Sequence, residues 1–258
     1  MGRIIMHIKE HGVRIALCLA VLLLFIVHAA NWLRLGLVDR LENLAYDKRL
    51  TVTMPNTIET QIVIVDIDEK SLTAEGRWPW GRDKLAALLE KMFGEYKVGL
   101  AGFDIVFAEP DTSSGLSVLE SLAASEFKND SAFRDRLAAI RPNLDYDQVF
   151  ADAIKKYPVV LGYYFNFGSP GADTAKIGAL PAPTFVKGTF TGKNIAFRPA
   201  QGFGSNLEKL QRAALGGGHF NPVPDPDGVI RRVPMLIEYE GAYYSALALE
   251  MARLALGA

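Results

Sequence analysis

The stretch QIVIVDID, Gln61 to Asp68, decides how this chain is read. Its β-branched residues are apolar on both faces, the pattern of a strand covered above and below rather than one facing water. The downstream segments fit that reading. Asp83 to Phe93 places Leu85, Leu88, Leu89, Met92 and Phe93 on one helical face. KVGLAGFDIVF, Lys97 to Phe107, is a second buried strand. Strand, helix and strand at this spacing predict a parallel unit with a right-handed crossover. A third cycle pairs a helix at Tyr146 to Lys156 with the strand PVVLGYYFNF, Pro158 to Phe167. Asp111 to Arg141 reads as a polar, helical insertion. Phe167 to Gly204 reads as loop with a short strand near Ile195 to Arg198, and Ser205 to Leu215 as a short helix.

Beyond Leu215 the pattern changes. GGHFNPV and GVIRRVPMLIEY flank Pro224 to Gly228 like two strands around a turn, and Glu240-Gly241 makes the next turn. SALALEMARLAL then predicts a helix capped by Ser245, with Glu250 and Arg253 its only charges. A helix that apolar is buried or leads into something buried. The expected fold is α/β: a mainly parallel central sheet flanked by helices, with a C-terminal hairpin.

Upstream, Ile15 to Leu33 carries no formal charge over about 19 residues, close to the ~20 that span a bilayer. Arg3, Lys9 and Arg14 precede it and favour a cytoplasmic N-terminus. A cleaved signal peptide competes, since the most apolar core, Ile15 to Val27, is short and small residues come after it. Both readings export the remainder. Leu33, Leu37, Leu41 and Leu44 then recur at helical spacing, a stripe that packs on its own domain or on a second chain. The expected division is a cytoplasmic N-terminus at 1–14, a transmembrane helix at 15–33, a juxtamembrane amphipathic helix at 34–54 and an exported domain at 55–258.

The 258 residues carry a net charge of -1 and one cysteine, Cys18. There is no basic stripe for nucleic acid, and the exported part has no disulfide or thiolate metal site. Ligands bind open parallel sheets beyond the carboxyl ends of the strands, and here those ends are acidic. Asp66 and Asp68 close the first strand, with Asp104 and Glu109 near the end of the second. Crowded carboxylates need a cation, an arginine or a proton between them. The candidates are a divalent metal held by Asp66, Asp104, Asp225 and Asp227, or the arginines Arg77, Arg82, Arg231 and Arg232. The plainer reading is that these acids cap helices and pair with the arginines. Trp78 and Trp80, in GRWPWGRD, form a ligand platform or a plug on the core. Asp225-Pro226-Asp227-Gly228 fails the calcium-loop pattern after its second ligand and matches a type I turn position by position. His219 reads as a packed histidine rather than a catalytic one.

VDIDEKSL with GRWPWGRDKLAALL (Val65 to Leu89), GFDIVFAEPD (Gly102 to Asp111) and GGHFNPVPDPDGVIRRVP (Gly217 to Pro234), in that order after one apolar helix, resemble the CHASE sensory domain, type two, of bacterial membrane receptors. The resemblance implies an α/β sensor outside the inner membrane, feeding an adenylate or guanylate cyclase, a histidine kinase, a diguanylate cyclase or a serine/threonine kinase. It also implies a homodimer and an output module beyond the end of this sequence. No catalysis is expected of the sensor itself. Its ligand candidates are Asp66, Asp68, Trp78, Trp80, Asp104, Glu109 and Arg231, for a small-molecule or ionic signal. Two other readings compete: an anchored metal-dependent hydrolase using Asp66, Asp68, Asp104 and Asp227, and a ligand-free dimerisation scaffold.

Overall fold

A computed structural model describes residues 2–257 except 31, 34, 56, 58, 169–174, 193, 194, 196 and 198. It has two compact units, Met1–Asp66 and Ile67–Ala258. The first contains α1 (Gly2–Ala29) and α2 (Gly36–Thr53). Within α1, His11–Ala29 is long and apolar enough to cross a membrane. None of α2 is buried, and its stripe residues Leu37, Leu41 and Leu44 are all exposed.

Gln61 to Asp68 is the main departure from expectation. The run belongs to no strand. Ile62, Val63, Ile64 and Val65 are 57–89% exposed. No backbone N–H from Ile62 to Ile67 finds an acceptor among the described residues. The physical reason is that β-branched residues favour an extended, pleated backbone but do not supply its partner. A strand exists only where a neighbour completes the ladder.

The second unit opens with α3 (Glu69–Glu75), α4 (Arg82–Gly94), β1 (Ala101–Phe103), α5 (Leu116–Ala124), α6 (Ser131–Leu144) and α7 (Tyr146–Lys156). β2 (Val159–Asn166), β3 (Lys176–Ile177), β4 (Gly202–Gly204), α8 (Glu208–Ala213) and β5 (Gly216–His219) come next. The long β2 is the spine. It pairs in parallel with β1 and β5 and antiparallel with β4, to which β3 adds in parallel. The sheet is therefore mixed: three of its four pairings are parallel, and the β2–β4 pairing is antiparallel because β4 returns to the carboxyl half of β2. The expected strand at Ile195 to Arg198 lies partly outside the described residues.

The C-terminal region divides further than the single expected hairpin. GGH joins the main sheet as β5. β6 (Val223–Pro224) and β7 (Ile230–Arg232) make one short hairpin, and β8 (Leu236–Tyr239) and β9 (Ala242–Ser245) another. In the second, Glu240 and Gly241 both have positive φ, +51° and +80°, which a two-residue turn of the mirror-image type requires. α9 (Leu247–Ala255) starts after Ala246, not at a Ser245 cap. Ser245 is the last residue of β9, and its side chain bonds to Thr184.

The faces of the sheet explain its glycines. Residues alternate sides along a strand. On one side, Phe103, Val159 and Leu161 join Leu85 and Leu89 of α4, Phe150 and Ile154 of α7 and Leu210 of α8. Full burial of each of these large side chains is worth about 1.5–3 kcal/mol. α9 packs against β5 and β2. A Cβ on Gly102 would lie 2.2 Å from Met251 Sδ, and one on Gly218 2.4 Å from Leu247 Cα. Glycine is what lets α9 lie directly on the strand backbone. Tyr163, Phe165, Phe203, Ile237, Tyr239 and Tyr244 form a second, aromatic core.

Candidate functional site

The predicted site residues fall into separate places. Asp66 is exposed and lies in the first unit. Asp68 caps α3, accepting from the Ser71 N–H at 2.8 Å and its hydroxyl at 2.7 Å, and the Ser71 hydroxyl bond holds its pKa below the ordinary value. Asp104 comes directly after β1, exposed and without a hydrogen-bond or ion-pair partner among the described residues. Glu109 offers its backbone carbonyl to Arg82 Nη2. Trp78 and Trp80 meet edge to face at 5.9 Å, pack against the main core, and Trp80 Nε1 donates to the Gly76 carbonyl at 2.8 Å.

Asp225 and Asp227 are drawn together by Arg231. Its side chain is almost fully buried, donating to Asp225 Oδ2 and, through two nitrogens, to both oxygens of Asp227, each at 2.9 Å. Arg232 adds a longer contact to Asp225 Oδ1. The Arg231 bond keeps the Asp227 carboxyl below its usual pKa. The turn closes with Gly228 N–H donating to the Asp225 carbonyl at 2.8 Å, Gly228 having φ +82°. A type I turn followed by a left-handed glycine is a standard hairpin closure.

A second arginine organises a centre that sequence reading placed incompletely. Arg82, the first residue of α4, is 7% exposed and bonds to Asp147 of α7, itself 8% exposed. The Arg82 backbone N–H donates to Asp111 Oδ2 at 2.7 Å, and the guanidinium lies over the Phe107 ring. Burial lowers its pKa, without bringing a guanidinium near neutrality. Arg82 was a candidate partner for the acids. Asp147 was hidden in a segment that reads only as an amphipathic helix.

A cleft with a partly polar wall lies elsewhere. It has a volume of about 440 Å³ and is bounded by Pro181–Phe185, the end of α8, β5 and α9. Thr184, Gln211, Glu250 and Arg253 bring polar side chains to it. Glu250 is 6% exposed and takes Arg253 at 2.7 and 3.1 Å. Gln211 is equally buried. Its Oε1 accepts from Asn206 Nδ2 at 3.1 Å, and Asn206 ties this pair to the Gly162 carbonyl and the Phe107 N–H. A Cβ on Gly216 would stand 2.9 Å from Glu250 Oε1, and one on Gly217 3.0 Å from Gln211 Nε2. The triple glycine thus brings a carboxylate and an amide against bare backbone. A small polar molecule here would meet an ion pair, Glu250 with Arg253, rather than free charges, and no histidine or cysteine lines the cleft. Its sequence signal was present: one acid and one base, three apart, on an otherwise apolar helix.

The sequence model of the CHASE2 domain matches residues 17–258. The chain belongs to the CHASE2 family. No curated protein and no solved structure matches it. CHASE2 is an extracellular sensory domain of signalling receptors.

His219, the remaining candidate, ends β5 fully buried beside Phe165. Neither ring nitrogen has a hydrogen-bond partner among the described residues. Burial pushes its pKa down to about 4. The ring is therefore neutral at physiological pH, a packing element of the CHASE2 domain.

Proposed function

We propose that this CHASE2 domain is the input part of a bacterial inner-membrane receptor with a nucleotide cyclase output, and that the cleft between β5 and α9 takes its signal. One observation supports this most. Glu250 and Arg253 both stand on α9, the last described element. A molecule that binds them bears on the helix through which a subsequent segment would be driven. Binding shifts output only if the cleft prefers one of two states of that helix. The exposed leucine stripe of α2 supports dimer formation. A metal-dependent hydrolase would gather Asp66, Asp68, Asp104 and Asp227 around its metals, whereas Asp68 caps α3 and both oxygens of Asp227 are held by Arg231.

The test is cyclic nucleotide output from the full-length receptor in cells lacking their own cyclases. Production is expected, with Glu250→Gln changing its response while leaving the folded fraction intact. Absence of cyclic nucleotide under every condition overturns the cyclase assignment. Output indifferent to Glu250→Gln and Arg253→Gln overturns the cleft.

A further inference from the structure

His219 ends β5 at the point where α9 begins. Its backbone bridges in parallel to Ala246, and Gly218 beside it lies directly against the backbone of Leu247, the first residue of α9. The imidazole is fully buried, and neither nitrogen has a hydrogen-bond partner among the described residues. It is also the one histidine outside α1, the other three being His7, His11 and His28.

The groups around the ring offer a proton no compensation. Tyr163, its register partner on β2, has a hydroxyl that is itself without a partner among the described residues. Tyr239 of β8 and Tyr244 of β9 meet it around Phe165. Burial raises the pKa of Tyr163 and of Tyr244, so neither phenol supplies a negative charge. On α9, Glu250 is committed to Arg253. Tyr164, Glu238 and Tyr243 alternate to the other faces of their strands. His219 therefore feels burial and no neighbouring charge.

A protonated ring would carry a charge and two N–H donors without an acceptor, and both are strongly disfavoured inside a core. Water relieves both, and parting β5 from Ala246 and Leu247 would let it in. Histidine is the side chain whose ordinary titration lies between neutral and mildly acid conditions. We propose that protonation of His219 releases the start of α9 from β5, so that an acidic exterior is itself an input to the domain. This input rests on the reading of α9 as the transmitting helix, and it adds a second handle on that helix beside the cleft. Acid need not unfold the domain to act, because it shifts a local equilibrium between a docked and a released α9.

The experiment is hydrogen exchange of the full chain in detergent micelles at pH 7 and pH 5, read at α9 and α4 and corrected for the intrinsic pH dependence of exchange. The ring titrates at about 4 in place and near its ordinary 6.5 once uncovered. Release of α9 should therefore become about 20-fold more frequent at the lower pH. It should also respond weakly to low urea, as a local opening does, while α4 exchanges by the urea-sensitive global route. His219→Gln and His219→Phe should each abolish the pH effect on α9. Should both variants misfold, the unsubstituted chain decides through its pH and urea responses. Release indifferent to pH, α9 exchange as urea-sensitive as that of α4, or a pH effect that survives both substitutions each overturns the proposal. No cyclic nucleotide is read, so a silent cyclase with an acid-released α9 would sink the receptor reading alone.

Discussion

Arg82 and Arg231 each gather two aspartates, but in different surroundings. Arg82 joins Asp147 and Asp111 beneath α4, where guanidinium and Asp147 are both buried. Arg231 joins Asp225 and Asp227 across a hairpin, where the Asp227 side chain is 41% exposed. Arg231 and Asp225 are as buried as Arg82 and Asp147, 5% and 13% exposed against 8% and 11%, so the difference lies in Asp227, which reaches water. A buried pair carries a large desolvation cost that only its partner offsets, so losing one member strands the other. A half-exposed carboxylate such as Asp227 exchanges water for a partner of similar worth. The first centre holds helices in place, and the second shapes a turn that its glycine already favours.

The largest effect should come from the buried centre. Asp147→Ala leaves Arg82 without its carboxylate and should cost about 3–5 kcal/mol, read by urea denaturation of the second unit. Removing Asp147 and Arg82 together, with apolar replacements, should recover part of that loss. A single-variant cost under ~1 kcal/mol would mean that water reaches Arg82, and the contrast between the two centres would vanish.

Legibility in the sequence divides along the same line. Periodicity located α4, α7, β2 and α9, because their apolar faces are set by local spacing. It also predicted the turn at Asp225 to Gly228, where side chain and φ are fixed within four residues. It could not show that Gln61 to Asp68 would lack a ladder partner, since pairing depends on residues far along the chain. The Asp147–Arg82 bond spans 65 positions and carries no local mark. The cleft was half legible: Glu250 and Arg253 stood out on their helix, but the glycines of β5 that admit them have meaning only once α9 is laid across the sheet.

His219 sharpens the comparison, as a buried polar group with no hydrogen-bond partner among the described residues. It escapes the cost of a stranded charge by staying neutral. In the folded state its pKa is near 4, against the ordinary value of 6.5. Between those values the unfolded chain binds more protons, so stability falls as pH falls. The slope should approach ~1.4 kcal/mol per pH unit, for a total near ~3 kcal/mol over the window. It should be measured above pH 5, before the carboxylates titrate. His219→Phe should flatten that slope. An unchanged slope would show that the ring already holds a proton or a partner in the folded state.

The smallest effect belongs to the hairpin. Asp227→Asn removes one charge from a carboxylate that is 41% exposed, and the buried Arg231 keeps Asp225. The cost should stay below ~1 kcal/mol and shrink further in high salt. The comparison breaks if the loss equals that of Asp147→Ala and is indifferent to salt. Asp227 would then count as a full member of the buried network around Arg231, and the hairpin, as much as the corner of α4, would hold an ion pair that the fold depends on.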